Sequence, residues 1–197
     1  MTPATANDWH ECQVVLPAPH NWLVLDLQRT DQEAWAGKVA GEHVAADACS
    51  EVRDAFAADV LWYRDSALRQ GALCAALLVP ADSAVIASYT VRELKVSREF
   101  LSVEALRAEA LRSEGPYFGG QRLAQVELPL GPALRVHRQE PTAPDSDGGT
   151  IVEGVAHYIV PREHSTVLEC RLLWSNLGFG EELLKMAEEL AESVRLV

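Results

Sequence analysis

The sequence predicts an α+β fold: an antiparallel sheet with helices on both faces, an α/β/α sandwich. Three observations predict it. Residues 150–194 read as strand, turn, strand and amphipathic helix. Apolar runs of strand length recur in pairs separated by turn residues, as hairpins require. Helical stretches fall between those pairs without strict strand–helix–strand alternation, which argues against a doubly wound parallel sheet.

Residues 1–13 are polar, broken by Trp9 and His10, and are expected to form a flexible N-terminal arm ahead of a single sandwich domain over 14–197. Val14–Leu16 is a short apolar run, and Pro17-Ala18-Pro19 bends the chain after it. Trp22–Leu27 alternates and predicts a strand. Thr30-Asp31-Gln32-Glu33 has the form of a capping box and predicts a helix to Val44, weakened by Gly37 and Gly41. Ser50-Glu51 opens a second helix to Gln70, with Val52, Phe56, Val60, Tyr63 and Ala67 on its inward stripe. Gly71 stands where a left-handed C-cap is expected.

Ala72–Val79 is continuously apolar and reads as a central strand buried on both faces. It is expected to pair, across the turn Pro80–Ser83, with the β-branched stretch Ala84–Val96. Ser102 caps a helix from Val103 to Ser113, with Leu106 and Ala110 on one face, and Gly115-Pro116 stops it. Leu123–Leu128 and Ala133–His137 predict a further hairpin, its turn set by Pro129 and Gly131-Pro132. Residues 141–149 read as a surface loop rather than a domain linker, because the forty-eight residues after it hold too few elements to bury their own core.

Composition narrows the function classes. At 197 residues, with 48% hydrophobic and 23% charged side chains, the chain has the values of a folded globular domain. A net charge of −12 repels phosphate backbones and anionic lipid, so nucleic acid and membrane surfaces are not expected partners. Cys12, Cys49, Cys74 and Cys170 form no CxxC motif, and Cys74 and Cys170 read as small buried hydrophobes. Met1–Gln13 has neither the basic nor the apolar segment of a signal peptide, and no apolar run approaches the roughly 20 residues of a membrane helix. The expected localisation is cytoplasmic, with reduced thiols.

No motif for a reaction emerges. The six histidines, His10, His20, His43, His137, His157 and His164, show no HExxH spacing. His137 and His157 lie in alternating strands where they could face each other across a sheet; otherwise each reads as a half-buried imidazole with a hydrogen-bond partner. His10 and Cys12 could share a side of an extended chain, but an arm supplies neither an oriented base nor an oxyanion site. Asp145-Ser146-Asp147-Gly148 lacks the third acidic position and the closing glutamate of a calcium loop. The glycines around Tyr117-Phe118 lack the spacing and the lysine of a phosphate cradle. Trp22, Trp35, Trp62 and Trp174 either pack as core or line a cleft for an apolar ligand or partner anchor. No catalytic, metal-binding or cofactor-binding residue is assigned, and no cofactor is expected.

Leu16-Pro17-Ala18-Pro19-His20-Asn21-Trp22 forms a proline-bent opening to a tryptophan-bearing strand. At the other end, TIVEGVAHYIV and TVLECRLLW precede a terminal helix whose Leu183, Ala187, Leu190, Ala191 and Val194 point inward while Glu181, Glu188 and Glu192 point outward. This order resembles the PsbP-like family of α/β/α sandwiches. The resemblance implies a non-enzymatic binding, assembly or accessory role, and it carries over no functional residue. The chain departs from that pattern in its two early helices.

The expected function is therefore a cytoplasmic protein-interaction or accessory protein of adaptor or chaperone type, its partner another protein. The alternative is a small-molecule-binding protein, or an unrecognised enzyme, with a tryptophan-lined cleft near His137 or His157. A nucleic-acid reading would need Arg92, Lys95, Arg98, Arg135 and Arg138 to form one basic face. Oligomeric state is left open, with Ala133–His137 considered as an edge strand available for pairing.

Overall fold

Nine strands, four α-helices and two short 3-10 helices (Arg98–Phe100 and Leu177–Phe179) make up the regular structure of the described residues: β1 (Cys12–Gln13), β2 (Trp22–Val24), α1 (Gln32–His43), α2 (Ser50–Arg69), β3 (Ala72–Leu78), β4 (Ala87–Leu94), α3 (Val103–Arg112), β5 (Phe118–Leu128), β6 (Gly131–Pro141), β7 (Ile151–Ile159), β8 (Val167–Trp174), α4 (Gly180–Ser193) and β9 (Arg195–Leu196). The computed structural model describes residues 12–17, 22–81, 83–113, 115, 117–141, 150–160 and 166–196. His10, His20, His164, Trp9, Asp145–Gly148 and the turn 161–165 lie outside them.

Seven strands form one sheet in the order β2-β3-β4-β8-β7-β6-β5, with every pair antiparallel. The fold is thus α+β, with helices on both faces of an antiparallel sheet. Cys12–Gln13, placed by sequence in the flexible arm, instead pair with Leu196 and Arg195 as a separate two-stranded ladder.

Alternation along the strands sorts the side chains into two layers. Tyr89, Val91, Cys170, Leu172, Trp174 and Val155 face α4 and pack with its Leu183, Met186, Ala187 and Leu190. Each large aliphatic on that stripe contributes roughly 2 kcal/mol by leaving water. On the opposite face, α1 and α2 cover Leu23, Leu25, Ala75, Leu77 and Val79, while α3 packs Val103 against Leu134, Val136, Val160 and Val167. The sheet centre between α2 and α3 is polar there. Arg92 pairs with Glu169, and Arg171 and Arg138 both reach Glu140.

Several expectations are corrected. The Thr30–Glu33 capping box does not form: Asp31 is the N-cap without a side-chain cap bond, and its carboxylate meets Arg29 at 2.5 Å. Cys49, not Ser50, stands at the N-cap of α2. Val52, in the first turn of α2, is 49% exposed, and Arg64 joins Phe56, Val60 and Ala67 on the buried stripe. Ala133–His137 is no edge, since β6 lies between β5 and β7; the sheet edges are β2 and β5. Two caps form as expected. Ser102 Oγ accepts from the Ala105 N–H, and Gly71 closes α2 with φ at +68°.

Candidate functional site

Three polar residues that interrupt the α4-facing layer gather where the sheet meets the N-terminus of α4: His137 of β6, Glu153 of β7 and Trp174 of β8. His157 of β7 lies on the same face, farther along the strand. Register puts Glu153 opposite Trp174 and His137 opposite Val155. Alternation turns these side chains, and that of His157, to the same side of the sheet.

Glu153 is the anchor. It is 6% exposed, and its two oxygens take different donors: Oε1 lies 2.7 Å from His137 Nε2, and Oε2 accepts from Trp174 Nε1 at 3.1 Å. Such a buried carboxylate is tolerable because both oxygens are bonded. It also lies beneath the first turn of α4, where a Cβ on Gly180 would come within 3.1 Å of Oε2. Glycine at 180 therefore lets the helix N-terminus, with its partial positive charge, approach the carboxylate. α4 has no side-chain N-cap of its own.

Glu153 fixes His137 in turn. A carboxylate accepts only, so Nε2–H donates to it and Nδ1 is the remaining ring nitrogen, with no protein partner among the described residues. His137 lines a cleft of about 310 Å³ between β5, β6 and the start of α4. Arg122 of β5 stands directly opposite His137 in register and lines the same cleft, as do Phe118, Leu177 and Leu184. The wall from β5 is shaped by Gly119 and Gly120, whose φ angles of +69° and +82° open a bulge between Phe118 and Gln121 that a side chain would strain. A histidine held in this way can bond a ligand O–H or N–H, or accept its proton.

His157 does not meet His137 as expected. The two share a face on adjacent strands but are offset by one pair, His157 lying opposite Arg135 and Cys170. Burial, reinforced by the Arg135 charge, pushes its pKa down to about 4, so it is a neutral core imidazole. His43 ends α1 near the ring of Phe56.

The tryptophans separate into different roles. Trp174 is 2% exposed and serves both core and Glu153. Trp22 is half-buried against the α4 layer, and Trp35, on α1, is half-buried against the α1–α2 cluster. Trp62 is 61% exposed on α2, edge-on to Tyr63, and borders a separate cleft of about 330 Å³ that also reaches Trp174. Three of the five cations of the basic face considered above are paired with carboxylates: Arg92 with Glu169, Arg135 with Glu188 of α4, and Arg138 with Glu140. Arg135 and Arg138 also lie on opposite sheet faces.

Sequence reading missed Glu153 and Arg122. A usable signal for Glu153 was present: an acidic residue inside an apolar strand is rarely buried without partners. Glu169, 1% exposed and paired with Arg92, shows the same signature.

Among the described residues, no group of three or more His, Cys, Asp or Glu side chains is placed to hold a metal ion. No helix of the described residues is long and apolar enough to cross a membrane.

No family model and no curated protein sequence matches the chain. One solved structure, LpqN, involved in cell envelope biogenesis of Mycobacterium tuberculosis, superposes with a TM-score of 0.49 at 9% identity. That alignment covers 93% of this chain and 82% of LpqN.

Proposed function

We propose that this chain is an accessory protein that works by binding, and that it holds a small ligand in the cleft beside His137. One observation carries the reading. His137 is 9% exposed, has one ring nitrogen held by a buried carboxylate and the other without a protein partner among the described residues, and lines a cleft of ligand-binding size. A fold needs no such arrangement for stability, because a buried polar cluster costs desolvation that an apolar trio would avoid. The element order and end motifs support placing the chain with PsbP-like sandwiches. Four unpaired cysteines support a reducing, cytoplasmic setting. Thermal-shift screening of wild-type protein against a metabolite panel tests the reading. At least one compound should raise Tm, and the rise should vanish in His137→Phe. No hit, or a hit insensitive to that substitution, would refute it.

A second reading, docking of a partner protein, is favoured by a different feature. An apolar groove of about 740 Å³ runs between α4 and the β3–β4 hairpin, lined by Leu78, Ile86, Phe179, Leu183 and Met186. Phe179 is 39% exposed at its rim. A stoichiometric partner recovered by wild type and lost by Phe179→Asp would favour this reading; equal recovery by both would sink it.

A further inference from the structure

We propose that the cleft beside His137 takes a small hydroxycarboxylate, its carboxylate on Arg122 and its hydroxyl on His137 Nδ1. The inference rests on the small-ligand reading above and gives it a chemical class.

Arg122 supplies the first half. The chain has 29 acidic against 17 basic side chains, so carboxylates are abundant partners. Arg92, Arg135, Arg138 and Arg171 each take one. Arg122 has none within ion-pair distance among the described residues, although its planar fork is the group best suited to a carboxylate. It is exposed at the cleft and sits opposite His137 on the same sheet face.

His137 supplies the second half. With Nε2 bonded to Glu153, Nδ1 is the ring nitrogen left for a ligand hydroxyl, and both oxygens of Glu153 already have donors. Negative charge on the other wall, from Glu153 and the exposed Glu181 of α4, orients a singly charged ligand with its anionic end toward β5. Phe118, Leu177 and Leu184 then receive an apolar body, and a volume of about 310 Å³ limits it to a single ring or short chain.

Three probes with a common skeleton separate the terms: mandelate, styrene glycol, which replaces the carboxylate by a neutral hydroxyl, and phenylacetate, which lacks the hydroxyl. Each is titrated into full-length protein carrying labelled histidines, following the imidazole resonances by NMR with His137→Gln for assignment. Mandelate should shift the His137 resonance saturably. Styrene glycol and phenylacetate should each bind roughly tenfold more weakly, as should mandelate to Arg122→Gln, since each loses a charged or directional hydrogen bond. Arg122 is exposed, so its variant should keep the wild-type melting temperature. If styrene glycol binds as tightly as mandelate, or Arg122→Gln binds undiminished, the anionic class is overturned while the pocket survives. If phenylacetate matches mandelate, the hydroxyl contact is overturned. If none of the three moves His137, both the class and the cleft as a ligand site fall.

Discussion

Replacing His157 by leucine should flatten the acid limb of the stability curve. His157 is 2% exposed on β7, facing Arg135 across β6 and Cys170 across β8. Arg135 is itself held by Glu188 of α4, so its charge stays beside the imidazole. Burial first, then that cation, lower the pKa from 6.5 to about 4 in the folded chain. The folded value lies below the unfolded one, so between them the unfolded chain binds more protons. Stability is fully present above the unfolded pKa and is lost as pH falls toward the folded one. The saturating loss is roughly 3 kcal/mol, of which about 2 kcal/mol has gone by pH 5. Urea unfolding of wild type and His157→Leu at a series of pH values measures it. Carboxylates titrate in both proteins, so the difference between the curves isolates His157. Parallel curves over this window would refute the reasoning, and would mean that water or a rearranged Arg135 solvates the imidazolium.

Other sites give further expected outcomes. Arg64 is 4% exposed and donates to the carbonyls of Asp26, Leu27 and Arg29 and to Gln32 Oε1, clamping the β2–α1 connection. Arg64→Met should lose about 2–4 kcal/mol in urea unfolding and speed amide exchange over residues 26–32. Leu190→Ala, at a fully buried position of α4, should cost about 2–5 kcal/mol by the same assay. Ellman's reagent should modify exposed Cys49 in the native protein. It should leave Cys12, Cys74 and Cys170 until unfolding, because burial pushes Cys12 to about 11, Cys74 to about 12 and Cys170 higher still. Native modification of all four thiols would contradict the packing of β3 and β8.

The α4 stripe was readable because its period is local: Leu183, Ala187, Leu190 and Val194 recur at helical spacing whatever they pack against. The hairpins were readable for the same reason, each needing only a turn and two alternating runs. Cap chemistry was less secure. The Thr30 box fails because α1 begins at Gln32, which puts Asp31 rather than Thr30 at the N-cap, and the Asp31 carboxylate pairs with Arg29 instead of capping. Gly119 and Gly120, weighed from sequence as part of a phosphate cradle, form a bulge within β5, since strand pairing continues past them.

What the sequence determined by itself is the main strands and helices and most of the buried side of each, because period and polarity are properties of neighbours along the chain. Strand order is different. β4 lies beside β8, joining residues 87–94 to 167–174, and loop-closure entropy changes too slowly with length to select such a pairing in advance. Burial of both sheet faces selects it, and with it the register that brings His137, Glu153 and Trp174 together under α4 with Arg122 opposite. A one-residue slip in any of those strands would turn its polar member to the other face. The candidate site is therefore a product of register, and only the tertiary structure fixes register.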